Sequence, residues 1–383
     1  MLEDWQHGGF GLYVHWPFCQ SKCPYCDFNS HVSNTVEHAD WRAAFVSEIR
    51  RTGALTKGRV LRSIFFGGGT PSLMEPGTVR AILDESQKHW SWANDIEITL
   101  EANPSSVEAN KFADFADAGI NRVSLGVQAL NNTDLTKLGR LHTHEEALNA
   151  LEISRAQFNR VSFDLIYGRQ DQSLSDWKHE LKQALGYRPD HLSLYQLTIE
   201  DGTAFGARFA AGKLLGLPNE DLGADMYELT NLLCAENGLQ SYEVSNYAQI
   251  GSESRHNMIY WTGGDYVGVG PGAHGRLTLD GRRIGTEATR MPNDWLASAQ
   301  NGCVAHETVE EISAEARRSE FLLMGLRVTD GVDLSRLSEL SAGLSDINWA
   351  EPIDHGLIEI KDNRVRTTEA GKPLLNAILR QIL

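Results

Sequence analysis

The sequence predicts an α/β protein: an open, partial (β/α)6 barrel of the TIM type, followed by a small winged-helix-like α+β domain at the C terminus. The first two thirds of the chain alternate short β-branched or aromatic runs with longer amphipathic stretches, which is typical of βα units and a parallel sheet. The last third ends in two short strand-like runs and a helix. Six βα units are too few for a closed eightfold barrel, so the sheet is expected to stay open.

The barrel elements follow from this alternation. The predicted strands span residues 11–16, 62–66, 96–102, 122–127, 160–167 and 191–197. The predicted helices, each an amphipathic stretch, span residues 41–51, 76–89, 107–118, 144–157, 174–185 and 222–237. Together these elements predict a barrel domain over residues 1–240.

Beyond the barrel the pattern loosens into glycine-rich and aromatic segments, which predict an extension over residues 241–305. A C-terminal domain is predicted over residues 306–383. It begins with an amphipathic stretch at 313–326, and strands at 356–360 and 364–368 precede a last helix. Strand, turn, strand and helix give the outline of a winged helix.

One helix start is unusually clear. Thr143 fits the N-cap of a capping box, and Glu146 is placed to reach back to it. The neighbouring His142 and His144 are therefore expected to be cap-region surface residues rather than ligands.

Composition limits the partners. The 383-residue chain is 41% hydrophobic and has no apolar run long enough to span a bilayer, so a cytoplasmic protein with one large and one smaller core is expected. A net charge of −16 argues against nucleic acid as a partner, because nonspecific phosphate binding needs clustered Lys and Arg. Peripheral contact with a membrane and formation of a homodimer are left open.

Cys19, Cys23 and Cys26 form a C-x3-C-x2-C run directly after the first predicted strand. Thiolates are soft ligands of Fe–S clusters, and three of them on one loop indicate a [4Fe–4S] cluster with one iron open to a small molecule. Zinc is the alternative, with His15 or His31 as the fourth ligand. Five cysteines are an odd number, which does not favour a disulfide framework. The remaining thiols, expected to be ordinary buried or incidental ones, are Cys234 and Cys303.

Unusual residues fall at the ends of the predicted strands, where the βα loops of a parallel barrel converge. A triple glycine followed by Thr70 and Pro71 comes after the second strand; alone, it could be only a tight turn with positive φ. Strand-end carboxylates likewise could simply accept hydrogen bonds from neighbouring loops. The other residues at this rim are Glu101, Gln128, Asp164, Tyr195 and Gln196. So many on one rim favour a binding site.

These motifs together resemble the radical S-adenosylmethionine (SAM) superfamily. The cysteine run matches its C-x3-C-x2-C signature, and residues 67–71 match its glycine motif. Within the superfamily, residues 13–19, 126–128 and 164–168 resemble the oxygen-independent coproporphyrinogen III oxidase group. The resemblance covers nearly the whole chain. It implies that SAM chelates the open iron and that reductive cleavage of SAM gives a 5′-deoxyadenosyl radical.

By this resemblance the strand-end rim would hold SAM. Arg140 would suit the SAM carboxylate through a bidentate fork, although a rim salt bridge explains it equally well. The implied SAM contacts are Tyr13, Gly68, Gly69, Thr70, Glu101, Gln128, Arg140, Asp164 and Gln196.

Two features distinguish the chain from the true oxidases. The cysteine run of these oxidases resembles C-x3-C-x2-C-x-C, with one extra cysteine. Phe28 stands here in place of that cysteine, which argues against porphyrinogen decarboxylation. In addition, His256, Asn257, Tyr260 and Trp261 resemble the H-N-x-x-Y-W motif of a sister group, the HemW heme chaperones. A neutral imidazole is a good axial ligand for heme iron, and the two aromatic rings offer flat apolar faces. A lone histidine beside packed aromatics is more often structural, so the hypothesis that His256 ligates heme rests on the motif.

The run GPGAHG at residues 270–275 fits G-x-G-x-x-G by spacing. A dinucleotide fingerprint needs a helix N terminus to receive the pyrophosphate, whereas residues 276–279 have strand character. The run is therefore expected to shape a cavity and not to bind a dinucleotide.

The resemblance as a whole implies a heme chaperone that holds a [4Fe–4S] cluster with SAM, binds heme and delivers it to heme-accepting proteins, for example respiratory hemoproteins or bacterioferritin. The alternative is an oxygen-independent coproporphyrinogen III oxidase of porphyrin biosynthesis. The residue that discriminates between them is Phe28.

Overall fold

The structure is a computed structural model that describes residues 3–33, 35–302, 306–342 and 347–383; Cys303 lies outside them. The strands in this part of the chain are β1 (Phe10–Trp16), β2 (Phe18–Cys19), β3 (His31–Val32), β4 (Val60–Gly68), β5 (Ser91–Ala102), β6 (Arg122–Gln128), β7 (Arg160–Tyr167), β8 (His191–Gln196), β9 (Gln240–Ser241), β10 (Asn246–Ala248), β11 (Asp265–Val269), β12 (His274–Leu279), β13 (Arg282–Ala288), β14 (His306–Glu311), β15 (Val332–Asp333), β16 (Ile358–Lys361) and β17 (Arg364–Thr367).

The α-helices in the same residues are α1 (Asp4–Gly8), α2 (His38–Leu55), α3 (Pro76–His89), α4 (Ser106–Ala109), α5 (Phe112–Ala118), α6 (Asn132–Lys137), α7 (His144–Gln157), α8 (Leu174–Gly186), α9 (Ala204–Ala210), α10 (Glu220–Glu236), α11 (Arg255–Trp261), α12 (Pro292–Gln300), α13 (Ala314–Gly325), α14 (Leu334–Leu340), α15 (Ala350–Asp354) and α16 (Leu375–Ile382). Short 3-10 turns lie at Pro71–Leu73 and Lys372–Leu374. Within the described chain, no helix combines the length and apolarity needed to cross a membrane.

The predicted open barrel is confirmed. β1, β4, β5, β6, β7 and β8 lie side by side in this order, and each neighbouring pair is parallel. Six of the seven residues of β1 are buried, as expected for a parallel strand covered on both faces. The strands and their helices share one large apolar core that includes Trp16, Phe66, Phe163 and Trp177.

The segment beyond the barrel extends the same sheet, which the sequence pattern does not predict. β11 pairs in parallel with β1, and β12, β13 and β14 follow in antiparallel order; at the other edge β10 and β9 continue after β8. β14 thus belongs to the barrel sheet although residues 306–383 are predicted as a separate domain. β9 and β10 have only two and three residues, and β11, β12 and β13 each contain a glycine, so these strands lack the alternation that marks a strand in sequence.

The C-terminal domain has its own core. β15, β17 and β16 form a three-stranded antiparallel sheet in this order. Apolar residues of the sheet and of helices α13, α14 and α16 pack into a second cluster, which includes Leu322, Leu337, Val365 and Leu379. This α+β arrangement agrees with the predicted small domain.

Two local predictions differ in outcome. The capping box is present: Thr143 Oγ1 accepts from the Glu146 N–H over 3.2 Å, and a Glu146 carboxylate oxygen accepts from the Thr143 N–H over 3.0 Å. The prediction that His142 is a surface residue is wrong, because its ring is buried and its Nε2 lies 3.1 Å from the Val127 carbonyl. Burial lowers the pKa of His142 to about 4, so the ring is neutral.

The prediction of a single helix after β5 is wrong as well. The helix predicted over residues 107–118 is two helices, α4 and α5, with a break at Asn110 and Lys111. Next to the break, the buried Glu108 carboxylate accepts hydrogen bonds from the Ser72 hydroxyl and, over 2.9 Å, from the Asn103 N–H. The amphipathic pattern does not reveal this tertiary contact.

A buried carboxylate joins the N-terminal helix to the C-terminal domain. Asp4 in α1 accepts from Arg283 of β13 over 3.0 Å, from Arg317 of α13 over 2.8 Å and from Arg336 of α14. The Thr278 hydroxyl adds a fourth contact at 3.2 Å. Three guanidinium groups from different elements thus share one acidic side chain, although Arg283 also pairs with Asp265 and Arg336 with Glu339.

Candidate cluster and cofactor site

The cysteine loop forms one wall of a cavity at the C-terminal ends of the barrel strands. All three cysteines are half-buried and line this first cavity, which has a volume of about 180 Å³. The Thr70 hydroxyl donates to Cys19 Sγ over 3.4 Å, and Arg140 Nη1 donates to Cys23 Sγ over 3.3 Å. Ser30 Oγ lies 4.0 Å from Cys26 Sγ. Donors close to sulfur favour the thiolate form, which is the form that a cluster requires.

The donor set fits a cluster better than a zinc ion. Burial raises the pKa of Cys19 and Cys26, so these thiols need a bound cation to ionise at neutral pH. Both ring nitrogens of His15 are engaged in hydrogen bonds, and His31 Nε2 lies 3.1 Å from Asn29 Oδ1. In the described residues no three His, Cys, Asp or Glu side chains are grouped as one metal ion would need. In a cubane cluster the three thiolates bind three different irons, so their sulfur atoms do not have to meet at a single metal ion.

The glycine motif lets two backbone segments approach closely. Gly68 has φ +111°, and a Cβ on Gly69 would lie 2.8 Å from the Phe18 carbonyl oxygen. The Gly69 N–H donates to the Trp16 carbonyl over 2.7 Å, and the Thr70 N–H donates to the Phe18 carbonyl over 2.9 Å. The turn is therefore structural, and its close approach also brings Thr70 next to Cys19.

Two buried polar atoms on the cavity wall have no hydrogen-bond partner among the described residues. Gln128 stands at the irregular end of β6 with φ +71°, a conformation that costs a non-glycine residue about 1–3 kcal/mol, and its Oε1 is buried and unbonded. Arg140 donates from Nη2 to Asn103 Oδ1 and to the Gly126 carbonyl, yet its buried Nε has no acceptor. Buried polar groups are normally paired, so both atoms indicate where a polar ligand fits.

Glu101 of β5 and Asp164 of β7 line the same cavity. Burial and the nearby Asp164 carboxyl raise the pKa of Glu101 to about 8. Burial raises the pKa of Asp164 to about 6, although hydroxyl groups, including that of Ser124 at 3.2 Å, donate to it. Two carboxyl groups in a low-dielectric cavity resist ionisation together. A cationic ligand would favour both carboxylates.

The first cavity thus collects most of the predicted SAM residues. Tyr13 faces a neighbouring cavity, and Gln196 is exposed at the end of β8 outside the lining of both cavities. The predicted SAM residues that line the first cavity are Gly68, Gly69, Thr70, Glu101, Gln128, Arg140 and Asp164.

The neighbouring, second cavity has a volume of about 500 Å³. It shares Phe28, Gly68 and Glu101 with the first cavity, so the two spaces adjoin. Tyr260 and Trp261 of the predicted heme motif line it, and the buried Nε1 of Trp261 has no partner in the part of the chain that the structure describes. The second cavity has the size of a cofactor pocket and aromatic walls.

The other two residues of the motif lie away from the second cavity. His256 is buried, with Nδ1 2.7 Å from Ser63 Oγ and Nε2 2.7 Å from the Tyr260 hydroxyl. Burial lowers its pKa to about 3, so the ring is neutral. Asn257 is half-buried in α11 and does not line the second cavity. Direct ligation of heme iron by His256 would require one ring nitrogen to give up its hydrogen bond and the buried ring to become accessible.

Sequence reasoning missed two asparagines. Asn103 accepts from Arg140 and donates to Thr70 Oγ1 over 3.2 Å, so it links two predicted SAM residues. Asn29 donates from Nδ2 to the carbonyls of Pro271 and Arg290, each over 2.9 Å, which fastens the cysteine loop to the rim of the second cavity. Asn103 follows β5 directly, and this strand-end position is the signal that could have found it.

Comparisons with known proteins agree with this geometry. The family model of the radical SAM superfamily matches residues 13–184, and that of the HemN C-terminal domain matches residues 312–374. The heme chaperone HemW of Escherichia coli (strain K12) is 37% identical over 378 residues, which cover 97% of each chain. The chain belongs to the HemW family of radical SAM proteins.

Relatives of this chain come from other organisms as well. The mitochondrial radical S-adenosyl methionine domain-containing protein 1 of Mus musculus is 37% identical over 390 residues, covering 97% of this chain and 87% of that protein. The heme chaperone HemW of Mycobacterium tuberculosis (strain H37Rv) is 34% identical over 379 residues, covering 98% of this chain and 95% of that protein. The solved structure of coproporphyrinogen III oxidase (HemN) from Escherichia coli, a radical SAM enzyme, superposes with a TM-score of 0.80 at 20% identity over 97% of this chain and 89% of that chain, and so shares the fold.

As in other radical SAM proteins, the cofactors of the HemW family are a [4Fe–4S] cluster and SAM. The residues of the first cavity fit both. Its three thiols would hold the cluster, while the unpaired Gln128 and Arg140 atoms and the carboxyl groups of Glu101 and Asp164 would hold the polar and cationic parts of SAM. When bound and reduced, the cluster would supply one electron to SAM.

Proposed function

We propose that this protein is a heme chaperone: it binds heme in the second cavity and delivers it to heme-requiring proteins, while the cluster and SAM in the first cavity support the transfer. The observation that carries the proposal is the position of Tyr260 and Trp261 in the wall of a cavity that adjoins the cysteine loop. Relatives named heme chaperone HemW align over nearly the whole chain, which supports the same function.

The chemistry of the second cavity suits a porphyrin. Aromatic side chains prefer offset stacking on flat rings, and Trp261 also offers an unpaired indole N–H to a polar group at the ring edge. We propose that His256 of the motif acts through Tyr260, because its Nε2 fixes the Tyr260 hydroxyl at 2.7 Å. Ligation of heme iron by His256 itself stays a prediction.

Oxidative decarboxylation of coproporphyrinogen III is the second function considered. Phe28 lines both cavities and is 58% exposed, so it presents an apolar ring, and no thiol, between them. An apolar ring at this point favours stacking on a macrocycle. Formation of decarboxylated product by the anaerobically reconstituted protein with SAM would reverse this preference.

The location and acceptors are proposals as well. We place the protein in the cytoplasm, since the thiols of a cluster site stay available only in a reducing compartment. Respiratory hemoproteins or bacterioferritin are the proposed acceptors.

The test of the proposed function is an anaerobic heme titration of the cluster-reconstituted protein, followed by Soret absorbance. Saturable binding of about one heme per chain is expected, with about 1–3 kcal/mol less affinity in Trp261→Ala, as for other lost aromatic stacking contacts. Trp92→Ala is the matched control, because Trp92 is also half-buried with an unpaired Nε1 but lies in β5 outside both cavities. Absence of saturable binding in the wild type would refute the proposal.

A further inference from the structure

The GPGAHG turn, which leads into the strand β12 and not into a helix, ends on the rim of the second cavity. Gly272 has φ +72°, and a Cβ on it would lie 2.6 Å from the Asn29 amide. A Cβ on Gly270 would lie 2.3 Å from the His15 carbonyl oxygen. Only glycine allows this approach, so the turn is fixed against the cysteine loop. The residue that it holds at the rim is His274, the first residue of β12.

Three imidazoles lie at or behind the second cavity, and they differ in what their nitrogens do. Both ring nitrogens of His15 are hydrogen-bonded, to the Tyr13 hydroxyl at 3.0 Å and to a backbone carbonyl at 2.9 Å. Both nitrogens of His256 are bonded as well, and its ring is buried. The side chain of His274 is 56% exposed; within the described chain its nearest charged partner is Glu287, 3.9 Å from Nε2, beyond hydrogen-bond reach. His274 is thus the imidazole whose nitrogens are available to a ligand.

The second cavity, whose lining also includes Glu101 and Glu287, holds a cation for a heme propionate. Arg290 lines the second cavity, is exposed, and forms no ion pair in the part of the chain that the structure describes. Its carbonyl is held by Asn29 over 2.9 Å, so the backbone that carries the guanidinium is fixed. Heme combines an iron that accepts imidazole with two propionates that pair with arginine. Aromatic faces, a free imidazole and a free guanidinium therefore meet in one cavity.

We propose that His274 is an axial ligand of heme iron in the second cavity and that Arg290 pairs with a heme propionate. This inference rests on the proposed heme-chaperone function and identifies the ligand within it. His274 takes this role without breaking a hydrogen bond of the fold, whereas His256 would have to give up one and is buried. The tie through Asn29 also connects the heme ligand to the loop that carries the cluster cysteines.

The test is the same anaerobic ferric heme titration, with the Soret band and the electron paramagnetic resonance spectrum recorded for wild type, His274→Ala, His256→Ala and His355→Ala. His355 is the control, since it is exposed in the C-terminal domain outside both cavities. We expect His274→Ala to bind heme at least about tenfold more weakly, which is the lower end of the cost of weakening a metal site. The Soret and electron paramagnetic resonance spectra of the bound heme should change as well. Added imidazole should restore the wild-type spectrum of His274→Ala.

The outcomes separate the inference from the proposed function. His256→Ala is expected to bind more weakly and to keep the wild-type spectrum, because it alters only the support of Tyr260. Wild-type spectrum and affinity in His274→Ala would overturn the inference while leaving the heme-chaperone function intact. A spectrum that changes in His256→Ala but not in His274→Ala would also overturn the inference. Failure of the wild type to bind heme would overturn both. If His274→Ala does not fold, His274→Met serves instead, and a thioether-ligated spectrum is expected.

Discussion

Replacing Glu101 with glutamine should remove a large part of the pH dependence of SAM binding. Burial and the Asp164 carboxyl raise the pKa of Glu101 to about 8, so the carboxyl is mostly protonated at neutral pH in the free protein. SAM carries a sulfonium charge, and a nearby cation favours the carboxylate. Binding of SAM should therefore release a proton from Glu101, and the affinity should rise as the pH rises through about 8.

The magnitude follows from the pKa. At pH 7 a group with a pKa of about 8 is about ten parts protonated to one part ionised, so ionising it costs about 1.4 kcal/mol. Affinity should then gain about tenfold between about pH 7 and pH 9 through Glu101 alone. Glu101→Gln cannot ionise and should lose this gain. The free α-amino group of SAM titrates in the same range. The contribution of Glu101 is therefore the difference between wild type and Glu101→Gln in the slope of SAM affinity against pH.

The assay is anaerobic calorimetric titration of SAM into cluster-reconstituted protein over this pH range, in buffers of different ionisation enthalpy to count released protons. Glu236→Gln is the matched control, because Glu236 is exposed at the end of α10 and lines neither cavity. Equal slopes of SAM affinity against pH for wild type and Glu101→Gln would refute the reasoning. Glu101 would then have only a structural role.

Two further predictions concern the cluster and the domain junction. Cys23→Ser should abolish the brown charge-transfer absorbance of the reconstituted protein, whereas Cys234→Ser, at a buried thiol in α10, should keep it; equal spectra would contradict the cluster assignment. Asp4→Asn leaves three guanidinium groups short of a buried carboxylate and should lower the free energy of unfolding by about 3 kcal/mol, measured by urea denaturation. Asp354→Asn, at an exposed carboxylate, is its control, and an unchanged midpoint for Asp4→Asn would show that the network adds little.

The barrel could be predicted because its signals are local. β7 has its predicted bounds, 160–167, and α3 and α7 begin and end where amphipathic periodicity and the capping box place them. The cysteine spacing and the glycine run are also local, since ligands on one loop and a tight turn require neighbouring residues. These patterns predicted the family and the first cavity.

Tertiary structure alone decided the rest. Nothing in the sequence indicates that β11 joins the edge of β1, which sets the GPGAHG turn beside the cysteine loop. Burial of His142 and the engaged nitrogens of His256 depend on neighbours far along the chain, Ser63 among them. A motif names a histidine, but only packing determines whether its nitrogens are bonded within the fold or, as at His274, left free, because burial and hydrogen bonding are properties of spatial neighbours.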